Sequence, residues 1–274
     1  MTAAPTTASA AWLARLERFD VVGSTNDVVA QWLRDGTPEV CVAIADEQSA
    51  GRGRNGRTWT APPGASVLAS IGFRPTWLAP EHAWRLAAIV ALAMADAGEA
   101  VSGAGRGEIQ LKWPNDLVAI DRGSGAVLKL AGLLGETDGL GSDDPRAVIG
   151  IGINATWDRA TFPEELAVSM TSLRELAAGR AIDRERLVET FLGRLEGLVT
   201  QLREGDFPAE AWRRRQLTNG LPVRLEWPDG TVEPVRAQDV DADTGALLVQ
   251  GLDGGPLRSV LVGEIRHVRL GGVV

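Results

Sequence analysis

The stretch "CVAIADEQSAGRGRNGRTWTAPPG", residues 41–64, limits what this chain can fold into more than any other. An apolar run of strand length leads directly into alternating glycines and arginines. Gly51, Gly53 and Gly56 satisfy the G-x-G-x-x-G pattern, and Gly51 with Gly56-Arg57-Thr58 approximates a phosphate loop carrying arginine in place of lysine. Both kinds of loop need their glycines to open a helix, because the first-turn amides hold the phosphate. Here Pro62, Pro63 and Gly64 follow and leave no room for that helix. No acidic residue stands at the dinucleotide spacing within a clear βαβ unit. A doubly wound nucleotide-binding sheet is therefore excluded.

An arginine-glycine RNA-binding tract fails on other grounds. The segment is short and has no interleaved aromatics, and the chain is acidic, with net charge -8 and pI near 5.0. What remains is a flexible cationic flap over an anionic ligand. Arg52, Arg54 and Arg57 stand with no acid between Gly51 and Trp59, and guanidinium forks suit phosphate and carboxylate oxygens. On this stretch alone, a solvated surface loop is the alternative. Lys112 and Lys129 are the two lysines among 28 basic residues. In a chain that otherwise uses arginine, a lysine points to a need for a compact ammonium.

Along the rest of the chain, Ser24, Thr25 or Asn26 caps a helix with Val28, Val29, Trp32 and Leu33 on one face, ended by Gly36 and Pro38. "VCVAIADEQ" and "SVLASIGF" read as strands, the second by alternation, and "EHAWRLAAIVALAMADAG" as a core helix. "EIQLKW" and "DLVAID" are short strands broken at Trp113-Pro114. "KLAGLLGET" and "RAVIGIGIN" are further strands, in which Gly132, Gly135, Gly150 and Gly152 permit bulges or close approach of a ligand. "DRERLVETFLGRLEGLVTQLREG" is an amphipathic helix. From about Leu217 the texture changes to short strands separated by Pro-Asp-Gly, Asp-Thr-Gly and Asp-Gly-Gly turns. The expectation is an α+β chain: a mixed-sheet catalytic domain over 1–216 and a small β-barrel-like module of SH3 size over 217–274.

The 274 residues, 45% hydrophobic and 23% charged, suit a soluble globular protein with a sizeable core. Cys41 is the lone cysteine and reads as a buried structural thiol. The start, "MTAAPTTASAAW", has no positive charge before Arg15 and lacks a signal-peptide n-region. "LAAIVALAMADA" is too short to span a bilayer and carries Asp96. A cytoplasmic protein without membrane association is expected.

Three more segments carry chemistry. "LKWPNDL" places Lys112, Asn115 and Asp116 around a rigid Trp-Pro turn. "KLAGLLGE" presents Lys129 before Gly132, and "GIGIN" ends a strand in Asn154. Taken singly, Asn115-Asp116 as a plain turn and Asn154 as a strand-end cap stand equally open. Together with "GSTND" and "DEQSAGRGRNGRTW", however, "GRGRNGR", "KWPND" and "KLAG" in this order closely resemble the biotin protein ligase family, from about Phe19 to Asn154.

That resemblance implies a mixed-sheet ligase/synthetase-like fold with an SH3-like C-terminal module, and a two-step reaction. Biotin's carboxylate attacks the α-phosphate of MgATP, giving biotinyl-5′-AMP and pyrophosphate. A lysine of a biotin carboxyl carrier domain, part of a biotin-dependent carboxylase, then attacks the mixed anhydride. By motif, Ser24, Thr25, Asn26, Gln48, Arg52, Gly53, Arg54, Lys129 and Gly132 would bind biotin. Arg54, Arg57, Trp59, Lys112, Asn115 and Asn154 would bind ATP, with Trp59 offering adenine a face. Catalysis would fall to Lys129, Lys112, Arg54, Arg52 and Asp116, the last orienting the incoming amine or a magnesium water. No protein ligand to a metal is assigned.

Some family members carry a winged-helix DNA-binding domain. Only about twenty residues precede "FDVVGSTN", so the monofunctional form without nucleic-acid binding is expected, and a homodimer stays open. The nearest rival is a lipoate or octanoyl transferase, against which "GRGRNGR" and "KWPND" speak. A non-catalytic biotin sensor is the rival from another class, against which both lysines speak.

Overall fold

The computed structural model describes residues 11–262, 265 and 267–270. The first ten residues, part of the start read above as lacking a signal-peptide n-region, lie outside them. The chain runs β1 (Arg15–Val22), α1 (Thr25–Arg34), β2 (Cys41–Gln48), β3 (Ser66–Phe73) and α2 (Trp84–Ser102). It continues through β4 (Gln110–Lys112), β5 (Asp116–Ile120), β6 (Val127–Asp138) and β7 (Arg146–Asn154). Four helices follow: α3 (Glu164–Ala167), α4 (Leu173–Leu176), α5 (Arg184–Arg203) and α6 (Ala209–Arg214). The last strands are β8 (Pro222–Glu226), β9 (Val232–Val240), β10 (Leu247–Gly251), β11 (Gly254–Val260) and β12 (His267–Leu270).

The first seven strands form one mixed sheet in the order β1-β2-β3-β7-β6-β5-β4, with β1 parallel to β2 and the other pairs antiparallel. Alternate residues of β2 serve its two faces. Val42 and Ile44 join the large core with α2 and α5, whereas Cys41 and Ala43 pack with Val29 and Leu33 of α1. Helices thus cover both faces, and all eight residues of β3 are buried. The alternation expected there is absent because Ser70, the polar residue that would face water, instead reaches Thr25 and Asn26 of α1. β1, which the sequence reading does not mark, is a half-exposed edge strand.

Helix α2 is apolar almost all round and sits between the sheet and α5, as its composition predicts. Gly103, in the left-handed region at φ 73°, ends it, and its amide closes the last turn onto Glu99. α5 is capped by the Asp183 side chain, which accepts from the Arg186 amide. β4 and β5 are joined at Trp113-Pro114, a cis bond. The C-terminal strands form a second, antiparallel sheet in the order β11-β10-β9-β8-β12. Its apolar residues, among them Val223, Leu225, Val235 and Leu247, continue the same core as α2. No helix among the described residues is long and apolar enough to cross a membrane.

Candidate active site

The arginine loop leaves β2 and returns beside it as a short excursion stapled by its own backbone. Gly53 N–H donates to Arg57 C=O (2.7 Å), and Trp59 N–H donates to Gly51 C=O (3.0 Å). Gly51 is required here, because a Cβ on it would stand 2.3 Å from the Trp59 carbonyl oxygen. The loop roofs a cavity whose wall carries Ser24, Thr25, Gln48, Arg54, Asp116 and Lys129.

The polar end of the cavity lies at the start of α1. Ser24, the N-cap residue, is buried. The Thr25 amide and hydroxyl both donate to Gln48 Oε1, at 2.8 and 2.9 Å. Asn26 Nδ2 donates to Glu136 Oε2 at 2.6 Å, and its Oδ1 lies 2.5 Å from Ser70 Oγ. A Cβ on Gly150 would stand 2.2 Å from that Oδ1, so the glycine makes room for the network. These bonds fix the donors and acceptors of α1 before any ligand arrives, which is what preorganisation requires.

Lys129, on β6, reaches Asp116 Oδ1 at 2.6 Å, and Lys112 stands 3.8 Å from Asp116 Oδ2. Burial pulls the Lys112 ammonium below its ordinary value, partly opposed by the Asp116 charge. Asn115 is held by backbone on both sides of the β5–β6 step: its Nδ2 donates to Leu133 C=O (2.9 Å), and its own C=O accepts from Leu133 N–H (2.8 Å). Trp59 lies over the sheet at Gly132 and Gly152, which face each other across β6 and β7. Lys129 Nζ is 5.5 Å from its ring centroid, a cation–π distance.

The three arginines behave differently. Arg52 forms a two-pronged pair with Asp27 (2.8 and 2.8 Å) and also meets Glu136 (3.2 Å). Its hydrogen bond holds the Asp27 carboxyl below the usual range. Arg54 is half-buried and bonds neutral acceptors: Val262 C=O (2.9 Å), Ile265 C=O (3.4 Å) and Asn115 Oδ1 (3.3 Å). Burial pulls its guanidinium below its ordinary value. Arg57 is exposed at the cavity rim. Asn154, expected at the nucleotide, is fully buried, accepting from Ser66 Oγ (3.2 Å) and donating to Thr171 C=O (3.0 Å). It stands at the end of β7, two residues beyond Gly152, and does not line the cavity.

Apart from Asn154 and Lys112, the expected residues therefore converge on one cavity. Lys112 lines a second, more apolar cavity that shares Arg54, Asn115 and Asp116 with the first. Sequence reasoning missed Asp27, Ser70 and Glu136, which position Arg52, Thr25 and Asn26. Glu136 stands in the quoted "KLAGLLGE", but nothing along the chain pairs it with an arginine 84 positions away. Among the described residues no group of three or more His, Cys, Asp and Glu is placed to hold a metal ion.

A mixed sheet with a loop-covered cationic cavity, acceptors on one side and an aromatic floor on the other, defines a ligase-like catalytic fold. The family profile described as biotin/lipoate A/B protein ligase matches residues 18–154. A biotin–[acetyl-CoA-carboxylase] ligase of Mycobacterium tuberculosis is 36% identical over 92% of this chain and 90% of its own length. The bifunctional ligase/repressor BirA of Escherichia coli is 32% identical over 89% of this chain and 71% of its own. A biotin protein ligase from Aquifex aeolicus, solved with biotin and ATP, shares the fold at TM-score 0.75 and 24% identity, covering 94% of this chain and 99% of that one. The chain belongs to the biotin/lipoate A/B protein ligase family, and it is an enzyme of the ligase class.

Proposed function

We propose that this chain is an ATP-dependent biotin protein ligase that forms biotinyl-5′-AMP and transfers biotin to a lysine of a carboxyl carrier domain. The observation that carries this reading is the single cavity joining the Thr25–Gln48 acceptor cluster, the Asp116–Lys129 pair and the Trp59 face. Ser24, Thr25, Asn26 and Gln48 serve the ureido end of biotin. Lys129 meets its carboxylate and then the acyl-phosphate oxygens.

Adenylation brings two anions together, so cations at their junction supply the main catalytic term. Arg54, Lys129 and Arg57 stand around that junction, and Lys112 adds charge from behind Asp116. Arg52, fastened to Asp27 and Glu136, ties the loop to α1 and β6 and so keeps Gly53 and Arg54 over the cavity. Trp59 offers its ring to adenine, with Asn115 as a nucleotide contact, while Asn154 fixes the end of β7 two residues beyond Gly152. A roofed cavity also protects the adenylate from water.

Magnesium enters as the companion of ATP and neutralises phosphate charge. Asp116, the lone carboxylate on the cavity wall among the described residues, is already paired with Lys129 and Lys112, so the ion would be held by the phosphates and water rather than by this chain. Residues 1–216 are read as the catalytic domain and 217–274 as an SH3-like module, a reading supported by the five short antiparallel strands. The protein is read as cytoplasmic, where carboxylase carrier domains would meet it.

The test is ATP–pyrophosphate exchange with purified protein, comparing biotin, lipoate and no acid. Exchange with biotin alone supports the reading. Exchange with lipoate alone moves the chain to the lipoate branch of its family, and exchange with neither acid refutes adenylation.

A further inference from the structure

The second cavity lies on the other face of β6. Gly132, Gly150 and Gly152 line the first cavity, whereas Gly135, Thr137 and Ile149 of the same strands line the second, and Leu133 and Leu134 border both. β5 pairs with β6 no further than Gly132, and just beyond it, where Asn115 C=O accepts from Leu133 N–H, the two cavities meet at Arg54, Asn115, Asp116, Leu133 and Leu134. The second cavity is walled by Trp84, Ala87, Ala91 and Trp113, with half-buried Leu140 from the β6–β7 connection. The buried Oε1 of Gln216 on its wall accepts no hydrogen bond among the described residues.

From this geometry we infer that the second cavity is the passage by which the acceptor lysine side chain reaches the acyl group, from the face opposite the arginine loop. The inference rests on the ligase reading. A loop that stays closed over the adenylate cannot also admit the amine, so the amine needs another entrance. The cavity suits a lysine in two respects. Its apolar walls match an aliphatic stem. Its inner end holds Asp116 flanked by Lys129 (2.6 Å), Lys112 (3.8 Å) and the Arg54 guanidinium, a net positive surround. An ammonium entering an apolar space beside cations loses its proton readily, which makes the neutral nucleophile.

The amine lone pair forms the N–C bond to the acyl carbon, and the bond from that carbon to the phosphate oxygen breaks. The electron pair leaves on AMP, and the proton lost by nitrogen passes to Asp116. The Ala87 methyl then helps set the width of the passage.

Ala87→Leu and Leu140→Trp test this by narrowing the passage without touching the first cavity. Three rates are read on each variant and on the parent: ATP–pyrophosphate exchange with biotin, hydroxamate formed when hydroxylamine captures the adenylate, and biotin transfer to a purified carrier domain. Exchange and capture are expected to stay within about twofold of the parent, while transfer falls about tenfold or more. Transfer that keeps pace with exchange in a folded variant overturns the passage. Leu140 lies on a connection outside the core, so Leu140→Trp decides the matter if Ala87→Leu does not fold. A parent without exchange would instead refute the ligase reading, so the two failures are distinguishable.

Discussion

Replacing Gly152 with alanine tests whether Trp59 is a binding surface. A Cβ at this position would stand 2.7 Å from both Cε2 and Nε1 of the indole. Carbon atoms rest at about 3.5–4.0 Å, so the ring must retreat by about 1 Å. Crowding of this kind costs about 1–3 kcal/mol. Gly152 lies within β7, where alanine recovers about 0.5–1 kcal/mol of backbone entropy. The fold is thus expected to lose about 0–2.5 kcal/mol of stability, because the two effects partly cancel. Binding has no such compensation: a displaced adenine platform loses about 1–3 kcal/mol, a rise of about 5- to 150-fold in KM for ATP. Thermal melting and pyrophosphate exchange against ATP concentration measure the two quantities separately. A folded Gly152→Ala protein whose KM for ATP is unchanged would refute the role given to Trp59.

Lys129→Ala is expected to lose about 10²–10³ of the adenylation rate with the fold retained, the scale of removing one transition-state donor. Unchanged pyrophosphate exchange would remove Lys129 from the chemistry. The depressed ammonium of Lys112 loses its charge at lower pH than an ordinary lysine, so exchange should decline on the alkaline side as pH rises through that value. Lys112→Arg stays charged and should move the alkaline limb to higher pH; a limb that does not move counts against Lys112 as its source. Trypsin should cut the loop at Arg52, Arg54 or Arg57 more slowly once biotin and ATP are bound, and equal cleavage with and without them would contradict closure.

The mixed sheet was legible because its central strands announce themselves as apolar runs bounded by Gly and Pro, and α2 because its composition leaves it nowhere but the core. β1 was not, since an edge strand half in water shows neither a continuous apolar run nor clean alternation. In the site, residues that recur in quoted motifs were found, and their supports were not. Arg52 looked free for an anion because no acid stands between Gly51 and Trp59, yet Asp27 and Glu136 reach it from α1 and β6. Asn154 read as a nucleotide contact from the family resemblance, but local sequence is silent on Ser66 and Thr171, which hold its amide. Pairings across a sheet belong to topology, and topology is what a single sequence states least directly.

Asp116 is the residue on which the two half-reactions divide. Two unit negative charges about 4 Å apart repel by about 4 kcal/mol at an effective dielectric constant of 20, and adenylation must bring biotin and phosphate at least that close. A third anion beside Lys129 works against that step, since it takes up part of the positive charge the reactants need. Its presence makes sense if the second step requires it, to receive the proton the attacking amine gives up. Asp116→Asn keeps the shape and an acceptor oxygen while removing the charge and most of the basicity. Exchange should then persist near the parental rate while transfer to the carrier domain falls about 10²-fold, the scale of lost general-base assistance. The lost transfer should recover partly at higher pH, where more of the acceptor amine arrives neutral. If exchange falls as far as transfer, Asp116 serves to position Lys129, and the division of labour argued from this geometry is wrong.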